Sequence, residues 1–231
     1  MATGTIGKIT TLGDPPVVGI GQVITPEMFA NLIANVNAFG FGSAAIADDF
    51  YGPTVNGALW STSGTVTVNP TAGANGAVTI NQNGVGTSSV ATNGGLNNVG
   101  TVDFYFSWRV KGVAIGTGAI VKLGIFGSST PAEDLYFKAD PASSANWLAM
   151  NNTTVLGTSS VLTSDYTSWH LYELIRTSGA VTFKVDGATV YSGTFATNIA
   201  GGPNLSMSGI GATGQSAYFY VDRVRGYINV T

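Results

Sequence analysis

The strongest constraint on the fold is the regular alternation of apolar and polar residues between Thr101 and Val110. The apolar positions are Val102, Phe104, Phe106, Trp108 and Val110. A period of two is the geometry of a β-strand, in which successive side chains point to opposite faces. The pattern therefore predicts a long strand with one face in a hydrophobic core.

Similar but shorter patterns recur along the rest of the chain and predict an all-β fold. Further strands are predicted at 120–126, 135–139, 169–177, 181–185, 188–192, 217–224 and 227–230, with weaker ones at 65–68 and 77–80. Asp186-Gly187 separates two alternating runs and is a hairpin signal, because both turn positions need a positive φ. Many short strands joined by turns indicate an antiparallel sandwich of two sheets over residues 46–231.

The first 45 residues differ from the rest of the chain. Glycines and prolines interrupt residues 1–24 and predict an extended arm. Thr25-Pro26-Glu27 then provides an N-cap, a first-turn proline and a first-turn acid, the start signal of a helix that ends at Gly40. One apolar stripe on this helix consists of Phe29, Leu32, Ile33 and Val36. Either the stripe docks on its own domain, or it packs against other subunits as an assembly helix.

Charge and composition exclude several classes of function. The chain has 231 residues, with 9 Lys and Arg, 12 Asp and Glu, one His, no Cys and a formal net charge of −3. Without a basic cluster we expect no nucleic-acid binding, and without a long apolar run we expect no membrane insertion. No signal-peptide pattern opens the chain, so synthesis in the cytoplasm is expected. The lack of Cys limits metal sites to oxygen ligands in practice.

Several stretches of the strand region resemble a known family. They are IADDF at 46–50 with Trp60 downstream, LYFKAD at 135–140, NW at 146–147, the 163–172 stretch containing Trp169-His170, VTFKVDG at 181–187 and YVDRV at 220–224. Together they are similar to the concanavalin A-like, laminin G-like jelly roll, and the likeness covers residues 46–230. The resemblance implies a jelly-roll sandwich. Such domains recur after a short arm and helix in tail, fibre and capsid-decorating proteins of bacteriophages.

The catalytic patterns that we sought are absent from the sequence. Glycoside hydrolases on this fold carry a Glu-x-Asp-x-x-Glu pattern, because two carboxyl groups must flank the scissile bond. The only glutamates here are Glu27, Glu133 and Glu173, and none has that spacing. His170 with Asp165 would have to serve any Ser-His-Asp triad, but no Gly-x-Ser-x-Gly elbow exists, and an ordinary hydrogen bond is the alternative. We therefore expect that the protein is not an enzyme.

Two binding sites remain as candidates. The family resemblance implies a structural calcium ion, for which Asp48, Asp49 and Asp222 are the matching carboxylates. The alternative is that Asp49 or Asp222 pairs with Arg223 or Arg225, or caps a turn. A glycan site would combine an aromatic platform with polar side chains, and its candidates are Asp140, Asn146, Trp147, Asn151 and Asn152. The alternative for Trp147 is a place in the core.

These observations give two main hypotheses of function, and a glycan-cleaving enzyme is a third. The first is a bacteriophage virion structural protein, a capsid-decorating or short fibre subunit on the virion surface. Its residues 1–45 would bind other virion proteins and further copies of the chain, as a homo-oligomer. The low charge limits like-charge repulsion between densely packed copies. The alternative is a receptor-binding tail fibre protein that recognises a host surface glycan.

Overall fold

A computed structural model describes residues 44–50, 53–69, 72, 76–93, 102–127, 134–195 and 203–229. These residues form fifteen strands. The strands are β1 (Ala44–Asp48), β2 (Trp60–Ser63), β3 (Val66–Asn69), β4 (Ala77–Asn83), β5 (Gly86–Thr92), β6 (Asp103–Ile115), β7 (Ile120–Phe126), β8 (Leu135–Ala139), β9 (Asn146–Asn151), β10 (Thr154–Leu162), β11 (His170–Thr177), β12 (Ala180–Val185), β13 (Ala188–Thr194), β14 (Asn204–Gly211) and β15 (Ser216–Asn229). The all-β prediction is confirmed for this part of the chain, which contains no helix able to cross a membrane.

The predicted arm and the helix with Phe29, Leu32, Ile33 and Val36 lie outside the described residues. Their conformation and their role in assembly therefore stay predictions, as does the domain boundary between residues 45 and 46.

Two antiparallel sheets make up the described region. One has the order β13-β12-β11-β6-β15-β4-β3, with β1 pairing beside β4 on the second half of β15. The other has the order β10-β9-β8-β7-β14-β5-β2. We call them the eight-stranded and the seven-stranded sheet. Neighbours in the sheets are distant in sequence, such as β6 with β15 and β7 with β14, which agrees with the predicted jelly-roll sandwich.

The core lies between the inner faces of the two sheets. The inward side chains of β6 are almost completely buried, as its alternating pattern predicts. Phe137 on β8 contacts Tyr172 and Phe183 of the opposite sheet edge-on, with ring centroids 5.2 and 5.1 Å apart. Since an inward side chain alternates with an outward one, each strand of this core also presents side chains on the outer face of its sheet.

The predicted hairpin between β12 and β13 is confirmed. Asp186 and Gly187 have φ angles of 51° and 78°, and Val185 pairs directly with Ala188. The Asp186 carboxylate also accepts a hydrogen bond of 2.8 Å from the backbone nitrogen of Leu171, so the turn is tied to the start of β11.

Candidate functional site

A cluster of half-buried aromatic side chains lies on the outer face of the eight-stranded sheet. Trp169 directly precedes β11, and Tyr218 and Tyr220 are outward residues of β15. The ring centroids of Trp169 and Tyr220 are 6.4 Å apart, and those of Tyr218 and Tyr220 are 5.5 Å apart. We name these three residues, with Arg109 and Asp222, the Trp169 cluster. It offers ring surfaces to solvent in a place where alternation brings three outward side chains together.

An ion pair lies beside the rings of the Trp169 cluster. Arg109 Nη1 donates to Asp222 Oδ2 at 2.5 Å, and the Asp222 side chain is only 3% exposed. The Arg109 guanidinium also lies 5.0 Å from the centre of the Trp169 ring, a cation–π distance. This geometry orients the guanidinium between a carboxylate and a ring, so its remaining N–H groups are available as directional donors.

The two tyrosines of the Trp169 cluster share a hydrogen bond. Their hydroxyl oxygens are 2.9 Å apart. The bond to Tyr220, and then burial, raise the pKa of Tyr218, so its hydroxyl stays protonated at neutral pH. The cluster therefore combines ring faces with two hydroxyl groups and a paired cation.

A second aromatic pair lies further along the same face. The rings of Tyr105 and Tyr227 are stacked, with centroids 5.7 Å apart, and the Tyr105 hydroxyl donates to Glu173 at 2.9 Å. Burial raises the pKa of Tyr105. On β6 Tyr105 lies about 20 Å from Lys111, the residue that pairs with Tyr220, at the usual rise of a strand. Two aromatic groups thus lie about 20 Å apart along this face.

His170, next to Trp169, is held between two carboxylates. Its Nδ1 lies 2.7 Å from Asp186 Oδ2, and its Nε2 lies 3.2 Å from Asp165 Oδ2. Because both ring nitrogens are engaged in this way, neither is in position to take a proton from a serine. This is the hydrogen-bonded arrangement that sequence reasoning held as the alternative to a triad.

The Asp165 carboxylate, which contacts His170, should make the stability of the fold depend on pH. Hydrogen bonds from the backbone and hydroxyl of Thr167, aided by those from His170 and Ser168, hold the pKa of Asp165 well below its ordinary value. A lowered pKa in the folded state stabilises the fold above the unfolded pKa of about 3.9, and this contribution is lost as pH falls. Thermal unfolding should therefore show a higher melting temperature for the wild type than for Asp165→Asn at neutral pH, and this difference should become smaller below about pH 4. A difference independent of pH contradicts this.

The five predicted glycan residues lie on and beside β8 and β9 of the seven-stranded sheet. Trp147 points inward, is 3% exposed and packs 4.7 Å from the Tyr172 ring, so it offers no surface platform. Asn146 and Asn151 are at opposite ends of β9, about 17 Å apart at strand rise. Asn152 follows Asn151 and accepts a hydrogen bond from Tyr136 through its carbonyl. The structure does not gather these residues around one exposed ring.

Asp140, the fifth of these residues, is engaged by a neighbouring lysine. Its Oδ2 lies 2.7 Å from Lys138 Nζ. Burial alone would raise the pKa of Asp140, but the hydrogen bonds from Lys138 and Ser143 outweigh it and lower the pKa. Asp140 is therefore a carboxylate at neutral pH, paired at the end of β8.

The predicted calcium ligands each have a different partner. Asp48 accepts hydrogen bonds from the Phe50 backbone nitrogen and from Trp60 Nε1, both 2.7 Å. Asp49 pairs with Arg225 at 2.5 Å, and Asp222 pairs with Arg109. No group of three metal-ligating side chains occurs in the ranges that the structure covers. The structure therefore does not bring Asp48, Asp49 and Asp222 together, and the pairing of Asp49 with Arg225 is the alternative stated above.

Comparison with known proteins gives the fold. No family model and no curated protein sequence matches the chain. The carbohydrate recognition domain of Emp47p matches with a TM-score of 0.60 at 10% identity, over 80% of this chain and 95% of that one. The apo Crh5 transglycosylase matches with 0.61 at 16%, over 83% and 87%. The β-glucanase of Bacillus licheniformis matches with 0.57 at 13%, over 80% and 99%. The described part of the chain therefore shares the two-sheet jelly-roll fold of these proteins.

These matches overturn one expectation and leave another without support. The prediction that the protein is not an enzyme is wrong on this comparison, because a transglycosylase and a glucanase share its fold over most of its length. The prediction depended on the absence of two sequence patterns, the Glu-x-Asp-x-x-Glu pattern and the nucleophile elbow of a Ser-His-Asp triad. Of the three glutamates only Glu173 lies among the described residues. Nothing in the comparisons links the chain to bacteriophage particles.

Proposed function

We propose that this protein binds carbohydrate through the Trp169 cluster. The observation that carries the proposal is the half-buried Trp169 ring beside Tyr218, Tyr220 and the Arg109–Asp222 pair. A sugar ring has an apolar C–H face and a rim of hydroxyl groups. Its binding therefore needs an aromatic surface with hydrogen-bond donors and acceptors at its edge, and the cluster combines the two.

The electrostatics of the cluster favour a neutral polyol over an ion. Asp222 is already paired with Arg109, so an incoming group gains hydrogen bonds rather than a new ion pair. Tyr and Trp side chains also give large contact areas at a low cost in conformational entropy. The fold supports the proposal independently, since proteins of this fold include a carbohydrate recognition domain and enzymes named for carbohydrate substrates.

Binding to a glycan array, followed by titration calorimetry with the strongest glycan, tests the proposal. Trp169→Ala should weaken binding by about tenfold or more, as for other central aromatic contacts. Trp169→Phe should retain part of the affinity because a ring remains. Val155→Ala removes an exposed apolar side chain from β10 of the other sheet and is the matched control.

Two results would contradict the proposal: no glycan binding by the folded protein, or unchanged affinity in Trp169→Ala. Circular dichroism of each variant separates lost binding from lost folding. Because enzymes share the fold, the same glycan should also be incubated with the protein and examined by mass spectrometry for shortened chains.

A further inference from the structure

Two lysines face each other on the outer face of the seven-stranded sheet. Lys122 on β7 and Lys138 on β8 are direct cross-strand partners. Their sequence neighbours Val121, Leu123, Phe137 and Ala139 are fully buried in the core, so both lysine side chains point outward. Directly opposite residues have Cβ atoms about 5 Å apart, and like charges in that position destabilise a sheet. The two facing lysines are therefore expected to destabilise the sheet unless their charges are balanced.

The two lysines differ in whether a carboxylate balances their charge. Lys138 pairs with Asp140 at 2.7 Å. Lys122 makes no ion pair with any carboxylate in the part of the chain that the structure describes, and its ammonium lies 5.0 Å over the Tyr136 ring. Burial lowers the pKa of Lys122, with the more distant Asp134 acting in the opposite direction. Among the described residues, Lys122 is thus a partly desolvated cation without a close counter-ion.

A row of small polar side chains runs from these lysines to the edge of the sheet. Lys122 pairs across β14 with Ser208, which pairs across β5 with Ser89, which pairs across β2 with Ser63. The next row has Gly124, Ser206, Ala91 and Ser61 in the same order. At the usual strand spacing the row from Lys138 to Ser63 spans about 19 Å. We name these two rows the serine trough.

We propose that the serine trough binds an acidic glycan, with a carboxylate or sulfate group held between Lys122 and Lys138. The anion would reduce the repulsion between the two cations and give Lys122 a close counter-ion. Charge-assisted hydrogen bonds from the two ammonium groups would fix the anion, and the serine hydroxyls would meet sugar hydroxyls along the trough. This site is on the opposite side of the sandwich from the Trp169 cluster and does not depend on it.

Charge complementarity selects a glycan over a nucleic acid. A nucleic-acid backbone needs many Lys and Arg on one surface, whereas the serine trough has two lysines in a chain of net charge −3. A glycan with an occasional acidic group and many hydroxyls matches one cation pair followed by a row of hydroxyl side chains.

Titration calorimetry with three oligosaccharides of equal length tests the proposal. The probes are an oligogalacturonate, a sulfated carrageenan oligosaccharide and a neutral galactan oligosaccharide. At least one acidic probe should bind more tightly than the neutral one, and which of them does identifies the anion. Lys122→Gln should weaken that binding by about tenfold or more, since a hydrogen bond to a charged group is lost. Lys122→Arg, which keeps the charge, should retain most of the binding.

Lys184→Gln is the matched control, because Lys184 is a half-buried lysine on β12 of the other sheet. It should leave the affinity unchanged, as should Trp169→Ala, which keeps this test separate from that of the first site. Thermal unfolding should show Lys122→Gln at least as stable as wild type, because repulsion is relieved. The proposal is overturned if neither acidic probe binds better than the neutral one. It is equally overturned if Lys122→Gln and Lys184→Gln change the affinity to the same extent.

Discussion

Replacing Phe137 with alanine is expected to lower the free energy of unfolding by about 3–5 kcal/mol, the range for truncating a buried aromatic side chain. Phe137 is fully buried on β8, and its ring meets the edges of Tyr172 and Phe183 from the eight-stranded sheet. Truncation removes apolar burial, leaves a cavity and deletes two edge-on ring contacts between the sheets. Urea denaturation followed by circular dichroism and tryptophan fluorescence measures the change.

Two controls accompany the Phe137 variant. Phe137→Leu should lower the free energy of unfolding by clearly less than Phe137→Ala, because leucine fills most of the same volume. Val155→Ala, at an exposed position, should stay within about 0.5 kcal/mol of wild type. A loss of under about 1 kcal/mol for Phe137→Ala would mean that the two sheets close over the cavity, and that this aromatic contact is not central to the sandwich.

The strands that sequence reasoning located are those with large alternating side chains. β6 is the clearest case, because Phe104, Phe106 and Trp108 leave no doubt about the inward face, although the strand continues to Ile115 rather than ending at Val110. The two segments predicted at 217–224 and 227–230 are one strand, β15. Gly226 lies inside this strand, at a point where any side chain would collide with the Phe106 ring. The glycine is therefore needed for packing and does not mark a break between two strands.

Strands built from small polar residues were missed. β2 and β5 consist largely of Ser, Thr, Gly and Ala, whose alternation has little amplitude in hydrophobicity. In β14 the alternation of Leu205 and Met207 stops at Gly209. They are strands because neighbours pair with them, as β7 and β5 do on the two sides of β14. Local sequence does not contain that information, which comes from the tertiary arrangement.

The sequence led to Trp147 as the glycan candidate, whereas the structure puts Trp169 on the surface, and strand phase explains the difference. Both faces of β9 are apolar, because Trp147 and Ala149 point into the core while Leu148 and Met150 pack in a separate cluster. The sequence alone therefore does not show which of these residues point inward. Trp169 has the parity of the outward residues of β11, such as Glu173, and opposite parity to the buried Tyr172. The alternation within the strand predicted at 169–177 puts Trp169 on the face opposite to Tyr172, so the sequence contained the signal for a surface ring.

Partners across strands were also beyond sequence reasoning. Arg109 and Asp222 are 113 positions apart, and Lys122 and Lys138 belong to different predicted strands. The identity of such pairs depends on sheet order and register, which alternation alone does not fix. The order β11-β6-β15 brings the residues of the Trp169 cluster together, and the order β8-β7-β14 brings those of the serine trough together.

Replacing Arg109 with methionine is expected to lower the free energy of unfolding by roughly 3 kcal/mol, because the buried Asp222 carboxylate loses its ion-pair partner. Asp222 is the buried member of the pair, with its side chain 3% exposed, whereas Arg109 is 32% exposed. The loss should therefore come mainly from the desolvated carboxylate rather than from the packing of the arginine stem. Urea denaturation at neutral pH measures it.

A double variant separates charge from packing at Arg109. Arg109→Met combined with Asp222→Asn removes the charge as well as its partner, so it should be more stable than Arg109→Met alone. If the single and the double variant are equally destabilised, Arg109 contributes through its packing on Trp169, and the charge of Asp222 has no part in the stability of this face.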